Sequence, residues 1–322
     1  MKFDGKDGVL THYLMDVDNR LGDLTLPSYT HRLGALVHLL HDLCSVTDLE
    51  RVEIKHLRLC LQHLLTVPVD QKGRITESGD GILAISTVRG YIRVWKAFFS
   101  WCYQEELIDS NPADRLKAPK EEKRIKPAFT QEHIDKMLAT CDTGTPFGFR
   151  DYVILLLLLD TGMRISELAG LRIEDVNFQG SCVKVFGKGR REREIGIYPE
   201  MSKLIWKYIQ KRRKSSDDSE RALFLGLRGP LGSHGIECII KRIQVKSGLT
   251  DIELHAHVFR HTFAKMYLDR GGELFKLSRE MGHSDVRTTK IYLEDFGSTE
   301  ARKDHNSYSP LAGIQFKKGR KR

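Results

Sequence analysis

What this sequence lacks narrows the reading first. Six cysteines are scattered along it, Cys44, Cys60, Cys102, Cys141, Cys182 and Cys238, with no C-x-x-C pair and no partner histidine at metal-site spacing. Disulfides and zinc are therefore disfavoured, and reduced, buried thiols are expected in apolar patterns such as Leu59-Cys60-Leu61 and Glu237-Cys238-Ile239-Ile240. The longest apolar run, Val153 to Leu159, falls far short of the roughly 20 residues that span a bilayer. The opening Met1-Lys2-Phe3-Asp4-Gly5-Lys6-Asp7 has no apolar signal-peptide region. A soluble, cytoplasmic protein with no membrane partner is expected. No internal repeat is evident.

What is present is a basic surplus. The 322 residues include 52 Lys and Arg against 43 Asp and Glu, a formal charge of +9, so an acidic polymer is a reasonable partner. Charge alone does not separate nucleic acid from an anionic membrane or from solubility. With 40% hydrophobic and 30% charged residues, the chain reads as globular and long enough for about two domains.

Periodicity then divides the chain. Tyr29, Leu33, Leu36, Val37, Leu40 and Leu43 mark a helix over 28–45, with Ser28 as its N-cap. A second helix fits 54–65, residues 66–85 read as a loop, and a third helix runs from Ser86 or Thr87 to about Glu105. Tyr91, Val94, Trp95, Phe98, Phe99 and Cys102 form its buried stripe, while Arg89, Arg93 and Lys96 are charged. A helical domain over 1–117 is expected, then a charged, proline-bounded linker over 118–128, then a second domain over 129–322 opened by Thr130. In the second domain Asp151 to Asp160 is almost continuously apolar and reads as a buried helix. Val183 and Val185, with Ile195 and Ile197, alternate on either side of Gly187-Lys188-Gly189, the pattern of a β-hairpin. Helices are expected again over 200–213, 234–247, 258–270, 273–281 and 285–294.

Three segments carry candidate chemistry. Arg164 lies in a tight junction between a helix ending at Gly162 and another starting at Ser166 and Glu167. Its guanidinium cannot be neutralised, so it caps carbonyls, pairs with Glu167, or offers a fork to a phosphate. His257 and Arg260 share a helix face near a helix start, with Phe259 and Phe263 turned to the core. An anion such as phosphate would reconcile that histidine with its neighbouring arginine; surface scatter is the plain alternative. His283 sits in a turn after Gly282, and Tyr292 falls two turns into the next helix, where a core tyrosine is the ordinary explanation.

Together the three segments read Arg … His-x-x-Arg-His … Gly-His-x8-Tyr. This pattern resembles the tyrosine recombinases, the phage-integrase family, over nearly the whole chain. Thr87-Val88-Arg89-Gly90-Tyr91, Phe98-Phe99-Ser100-Trp101 and Asn111-Pro112-Ala113 look like the last helices of the family's core-binding (SAM-like) domain. The fold implied is mainly α with a small β-sheet, a helical core-binding domain followed by an α+β catalytic domain. By resemblance Arg164 is the first catalytic arginine, His257 and Arg260 the middle pair, His283 the second histidine and Tyr292 the nucleophile. Lys188 matches the family's hairpin lysine; Lys184, inside a strand, is the weaker candidate. His255 is an extra histidine, and Met281 stands where leucine is usual.

The implied activity is site-specific recombination of double-stranded DNA (integration, excision or resolution) through a 3′-phosphotyrosine, by a homo-tetramer on two sites. Two duplexes present four strands, and one tyrosine serves one strand. Expected backbone contacts are Arg89, Arg93 and Lys96, with Lys188, Arg190 and Arg191 on the hairpin. The segment after Tyr292, with Phe296, Leu311 and Ile314, is a candidate protein–protein joint. No carboxylate cluster with metal spacing stands near these residues, and the arginines supply the charge Mg²⁺ would, so neither metal nor other cofactor is expected. A type IB topoisomerase, a catalytically silent DNA-binding relative and a phosphate-binding metabolic enzyme are the competing readings.

Overall fold

Apolar residues recurring every three or four positions build the first half of the chain. In the computed structural model the described residues are 2–3, 8–21, 26–70, 81–120, 127–187, 192–213, 219–283, 285–286 and 289. They separate into two compact units, Met1–Lys123 and Arg124–Arg322. The first unit contains α1 (Val9–Leu21), α2 (Leu26–Cys44), α3 (Ile54–Thr66) and α4 (Ile85–Gln104). Helix α1 has no counterpart in the sequence reading, although Val9, Tyr13 and Val17 recur every fourth residue and are all buried. Helix α2 begins before its expected cap, because Pro27 fits a first helical turn where its missing N–H costs nothing. Ser28 therefore lies inside the helix, and its Oγ accepts from Arg32 Nη1 at 2.6 Å.

The α4 stripe is buried throughout, with Trp95, Phe98 and Phe99 fully inaccessible. Burying each such ring contributes about 1.5–3 kcal/mol. The Trp95 indole N–H, costly to bury unpaired, donates to the Arg32 carbonyl at 3.2 Å. Tyr13 meets Phe98 edge-on, ring centroids 5.3 Å apart, which locks α1 onto α4. The expected loop over 66–85 contains two short antiparallel strands, β1 (Pro68–Val69) and β2 (Gly81–Ile82).

The second unit starts at α5 (Gln131–Ala139), capped by Thr130, whose hydroxyl accepts the His133 backbone N–H at 3.3 Å. Helix α6 (Pro146–Thr161) is buried on most sides, as its unbroken apolar run requires. After α7 (Ile165–Ala169), strands β3 (Val176–Asn177), β4 (Cys182–Phe186) and β5 (Glu192–Gly196) form one antiparallel sheet. Its third strand, β3, was not expected. Directly opposed residues share a face, so Val183 with Ile195 and Val185 with Arg193 look inward.

Helix α8 (Pro199–Lys207) continues in wider π-type turns to Arg212, filling the region expected to be helical. A short hairpin of β6 (Leu225–Gly226) and β7 (Gly229–Pro230) leads to α9 (Ser233–Ser247), α10 (Ala256–Asp269) and α11 (Leu274–Glu280). The helix expected over 285–294 falls almost wholly outside the described residues. The cysteines are free thiols, but only Cys60 and Cys102 are buried. Cys238 is exposed, because α9 turns Ile236, Ile239 and Ile240 inward and leaves Cys238 on the other face.

Candidate active site

The end of α6 sets the geometry. Gly162 closes the helix in the left-handed conformation, φ 56°, and a Cβ there would come within 2.4 Å of the Phe263 ring. Glycine is therefore needed for both backbone and space. The tight exit places Arg164 at the start of α7, where its backbone N–H donates to Glu167 Oε2 at 2.8 Å. Its guanidinium reaches Glu167 Oε1 at 3.0 Å and the Gly282 carbonyl at 3.4 Å. The Arg164 side chain keeps 41% exposure while that of Glu167 keeps 2%. Pairing with Glu167 and an open guanidinium face thus coexist.

Helix α10 delivers Arg260 to the same place from the opposite side. Only 6% exposed, it donates from Nη1 to the Gly162 carbonyl at 2.7 Å and from Nη2 to the Met281 carbonyl at 2.6 Å. Nη2 also donates to His283 Nε2 at 2.8 Å. The turn after α11 is held by these contacts: Met281 is fully buried, Gly282 adopts φ 65°, and His283 follows with its Nδ1 2.7 Å from Thr289 Oγ1. Burial pushes the His283 pKa down to about 4, and Arg260, Arg164 and Arg193 push the same way. The ring is neutral at pH 7.

Arg193 was missed by the sequence reading. It donates to Glu167 from Nη1 at 2.7 Å and Nη2 at 2.9 Å, and its Nε donates to the Glu280 carbonyl at 2.8 Å. A Cβ on Gly282 would strike this guanidinium at 2.8 Å. One arginine thus joins β5, α7 and the turn leading to His283. Burial alone would raise the Glu167 pKa, but the bonds from Arg193 and Arg164 outweigh it and hold the carboxyl below its ordinary value. The named cluster holds three guanidiniums against one carboxylate and a neutral imidazole. That arrangement suits an oxyanion.

The other candidates fall as follows. His257 stands exposed on the first turn of α10, its ring centroid 6.3 Å from that of His255. Lys184 lies on the outward face of β4 and pairs with Glu192 at 2.6 Å. Lys188, Arg190, Arg191 and Tyr292 lie outside the described residues. In the first unit Arg93 is exposed, Arg89 donates to the Pro119 carbonyl at 3.1 Å, and Lys96 donates to the Asp114 carbonyl at 3.1 Å. Among the described residues no helix is long and apolar enough to cross a membrane.

Comparison with known proteins decides the family. The phage integrase family profile matches residues 127–297, more than half of the chain. The chain belongs to that family. It is similar to tyrosine recombinase XerC of Oceanobacillus iheyensis, 33% identical over 254 residues that cover 76% of this chain and 80% of the relative. Tyrosine recombinase XerD of Staphylococcus epidermidis is 28% identical over 309 residues, 94% of this chain and 99% of the relative. Among solved structures, the Tn1549 transposon integrase in complex with transposon right end DNA aligns with a TM-score of 0.72. That match has 20% identity and covers 94% of this chain and 99% of the other. The mainly helical architecture with small sheets is the tyrosine recombinase fold, and the enzyme class is tyrosine site-specific recombinase.

Proposed function

We propose that this recombinase cleaves and rejoins specific sites in duplex DNA, with Tyr292 as nucleophile and Arg164, Arg260 and His283 as ligands of the scissile phosphate. The observation that carries the reading is the convergence of those two arginines and His283 on the Gly162 end of α6 and the Met281–His283 turn. The Tyr292 phenol oxygen attacks phosphorus, the bond to the 5′-oxygen breaks, and a 3′-phosphotyrosine ester forms. Making a phenolate at pH 7 from a group of pKa near 10 costs about 4 kcal/mol, so His257 accepts that proton. Lys188 gives a proton to the departing 5′-oxygen. The ester conserves the phosphodiester energy, and attack by another strand's 5′-hydroxyl reverses each step and rejoins the DNA. Arg164 and Arg260 meet the charge that gathers on the phosphoryl oxygens.

Duplex recognition is assigned to Arg89, Arg93 and Lys96 on α4 and to Arg190 and Arg191 beside Lys188, acting on backbone phosphates. Residues 1–117 form the core-binding domain and 129–322 the catalytic domain in this reading. The active assembly is a homo-tetramer on two sites, a closed ring of heterologous contacts. The test uses a duplex selected by the full chain from a random pool, nicked to trap the intermediate. The unsubstituted chain is expected to leave a protein–DNA adduct on a denaturing gel, and Tyr292→Phe to bind the duplex without one. A persistent adduct with Tyr292→Phe would move the nucleophile elsewhere.

A further inference from the structure

The His283 ring has a defined orientation of donors and acceptors. Arginine carries only donors, so His283 Nε2, 2.8 Å from Arg260 Nη2, is the accepting nitrogen. A neutral imidazole then holds its proton on Nδ1, and that N–H points at Thr289 Oγ1, 2.7 Å away. Thr289 is fully buried, and its own backbone N–H donates to the Val286 carbonyl at 2.8 Å. With the ring proton on Nδ1, the Thr289 hydroxyl oxygen is the acceptor of this bond, three residues ahead of Tyr292 in the sequence.

We infer that Thr289 is a positioning residue for strand cleavage: its hydroxyl holds His283 so that Nε2 faces the arginines and turns from acceptor to donor when a phosphate arrives. This rests on the DNA-cleaving reading above. Among the described residues, the charged groups facing the ring are Arg260 from α10, Arg164 from the α6–α7 junction and Arg193 from β5, with Glu167 between the last two. Burial and the three arginines keep the ring neutral without ligand. A phosphodiester anion offsets their charge, and the ring takes up one proton from water at Nε2. The Arg260 N–H and the new Nε2–H both then donate to phosphoryl oxygens. The Nδ1–H to Thr289 bond is the same in both states, so the ring need not reorient. The same bond tethers the phosphate ligand to the segment that carries the nucleophile.

The experiment reads the ring directly and the chemistry separately. Long-range proton–nitrogen spectra of the ¹⁵N-labelled full chain, with His283 assigned by His283→Gln, are expected to show a protonated Nδ1 and an unprotonated Nε2. Adding the selected duplex to the Tyr292→Phe chain should protonate Nε2 and leave Nδ1 unchanged. Thr289→Val should lose the Nδ1–H form and slow adduct formation about tenfold, equivalent to about 1.4 kcal/mol, with duplex affinity changed less than twofold. Thr289→Ser should restore both. A protonated Nε2 in the free, unsubstituted chain would overturn the inference, and that measurement needs no variant to fold. So would a Thr289→Val chain that cleaves at the unsubstituted rate. The expected ring state in a chain that forms no adduct at all would overturn the DNA-cleaving reading instead and leave the Thr289 contact standing.

Discussion

Among the described residues, the second unit contains two clusters in which a buried carboxylate is shared by two arginines, and they differ in what happens to the positive charge. In the first, Asp151 accepts from Arg150 at 2.7 and 2.9 Å and also from Arg242, while Arg150 Nη1 donates to the Leu225 carbonyl at 2.7 Å. Arg150 and Asp151 are each 5% exposed, and the surplus cation, Arg242, has a side chain 50% exposed to water. Solvent takes the surplus, and the cluster serves as an internal clasp between α6, α9 and β6. In the second, Glu167 has the place of Asp151 and is likewise shared by two arginines, Arg164 and Arg193. Here a third guanidinium, Arg260, is buried beside a histidine held neutral. Its donors meet the Gly162 and Met281 carbonyls and the His283 imidazole. Similar parts thus build a clasp in one place and, where a third guanidinium and a histidine join the pair, the cradle proposed above to hold a phosphate.

Substitutions should split the two along that line. The largest effect is expected from Asp151→Ala, which leaves Arg150 buried without its carboxylate and should lower unfolding free energy by about 3–5 kcal/mol. Urea titration measures it, and cleavage per folded molecule should be unchanged. Arg260→Ala should instead slow adduct formation by roughly 10²-fold or more, the scale for losing a preorganised oxyanion donor, with duplex binding weakened far less. If Asp151→Ala slowed cleavage per folded molecule as much as Arg260→Ala did, the division into clasp and cradle would fail.

The contrast also shows what a sequence can disclose. That Arg164, Arg260 and His283 lie together follows from backbone features written in residue types, Gly162, the start of α10 and Gly282. Arg193 was not recognised, although its signal was present: running the Ile195 and Ile197 alternation back two residues puts position 193 on the buried face. An inward arginine on a core strand requires a carboxylate, and Glu167 supplies it. Asp151 and Arg242 are far apart in sequence, so only the folded structure reveals their bond. Helix α1 was overlooked although Gly8 precedes it and accepts its first backbone bonds, and β3 because two residues carry no periodicity. Lys188 and Tyr292 were read from motif spacing, and they lie outside the described residues.

Glu167→Gln sharpens the comparison more gently. Glutamine keeps the shape but weakens the charge-assisted bonds from Arg193 and Arg164, which are worth about 1.5–3 kcal/mol apiece. Much of that loss returns when the released guanidiniums are hydrated, so adduct formation should fall about tenfold rather than a hundredfold. The rate constant at saturating duplex is the measurement. A Glu167→Gln chain with normal cleavage but lowered stability would make Glu167 a second clasp residue, no different in kind from Asp151.

The smallest expected effect is a pH dependence confined to the cradle. The folded His283 pKa of about 4 lies below the ordinary 6.5, so in mild acid the unfolded chain binds the proton first. Stability from this group is full above about pH 6.5 and is lost as pH falls toward about 4, at no more than about 1.4 kcal/mol per pH unit. The ring is only half-buried, and solvent screening reduces that slope. Glu167, whose pKa is lowered, loses its contribution only at greater acidity, whereas Asp160 and Glu280, whose pKa values burial raises, act in the opposite sense. The histidine's part is therefore read from the difference between His283→Gln and the unsubstituted chain between about pH 6.5 and about pH 5. Urea titrations across that window should show His283→Gln with a flatter decline than the unsubstituted chain, whereas Asp151→Ala should lower both ends equally. Equal slopes for His283→Gln and the unsubstituted chain would mean that burial and the arginines do not hold the ring neutral, and that the cradle meets its anion with an imidazolium already formed.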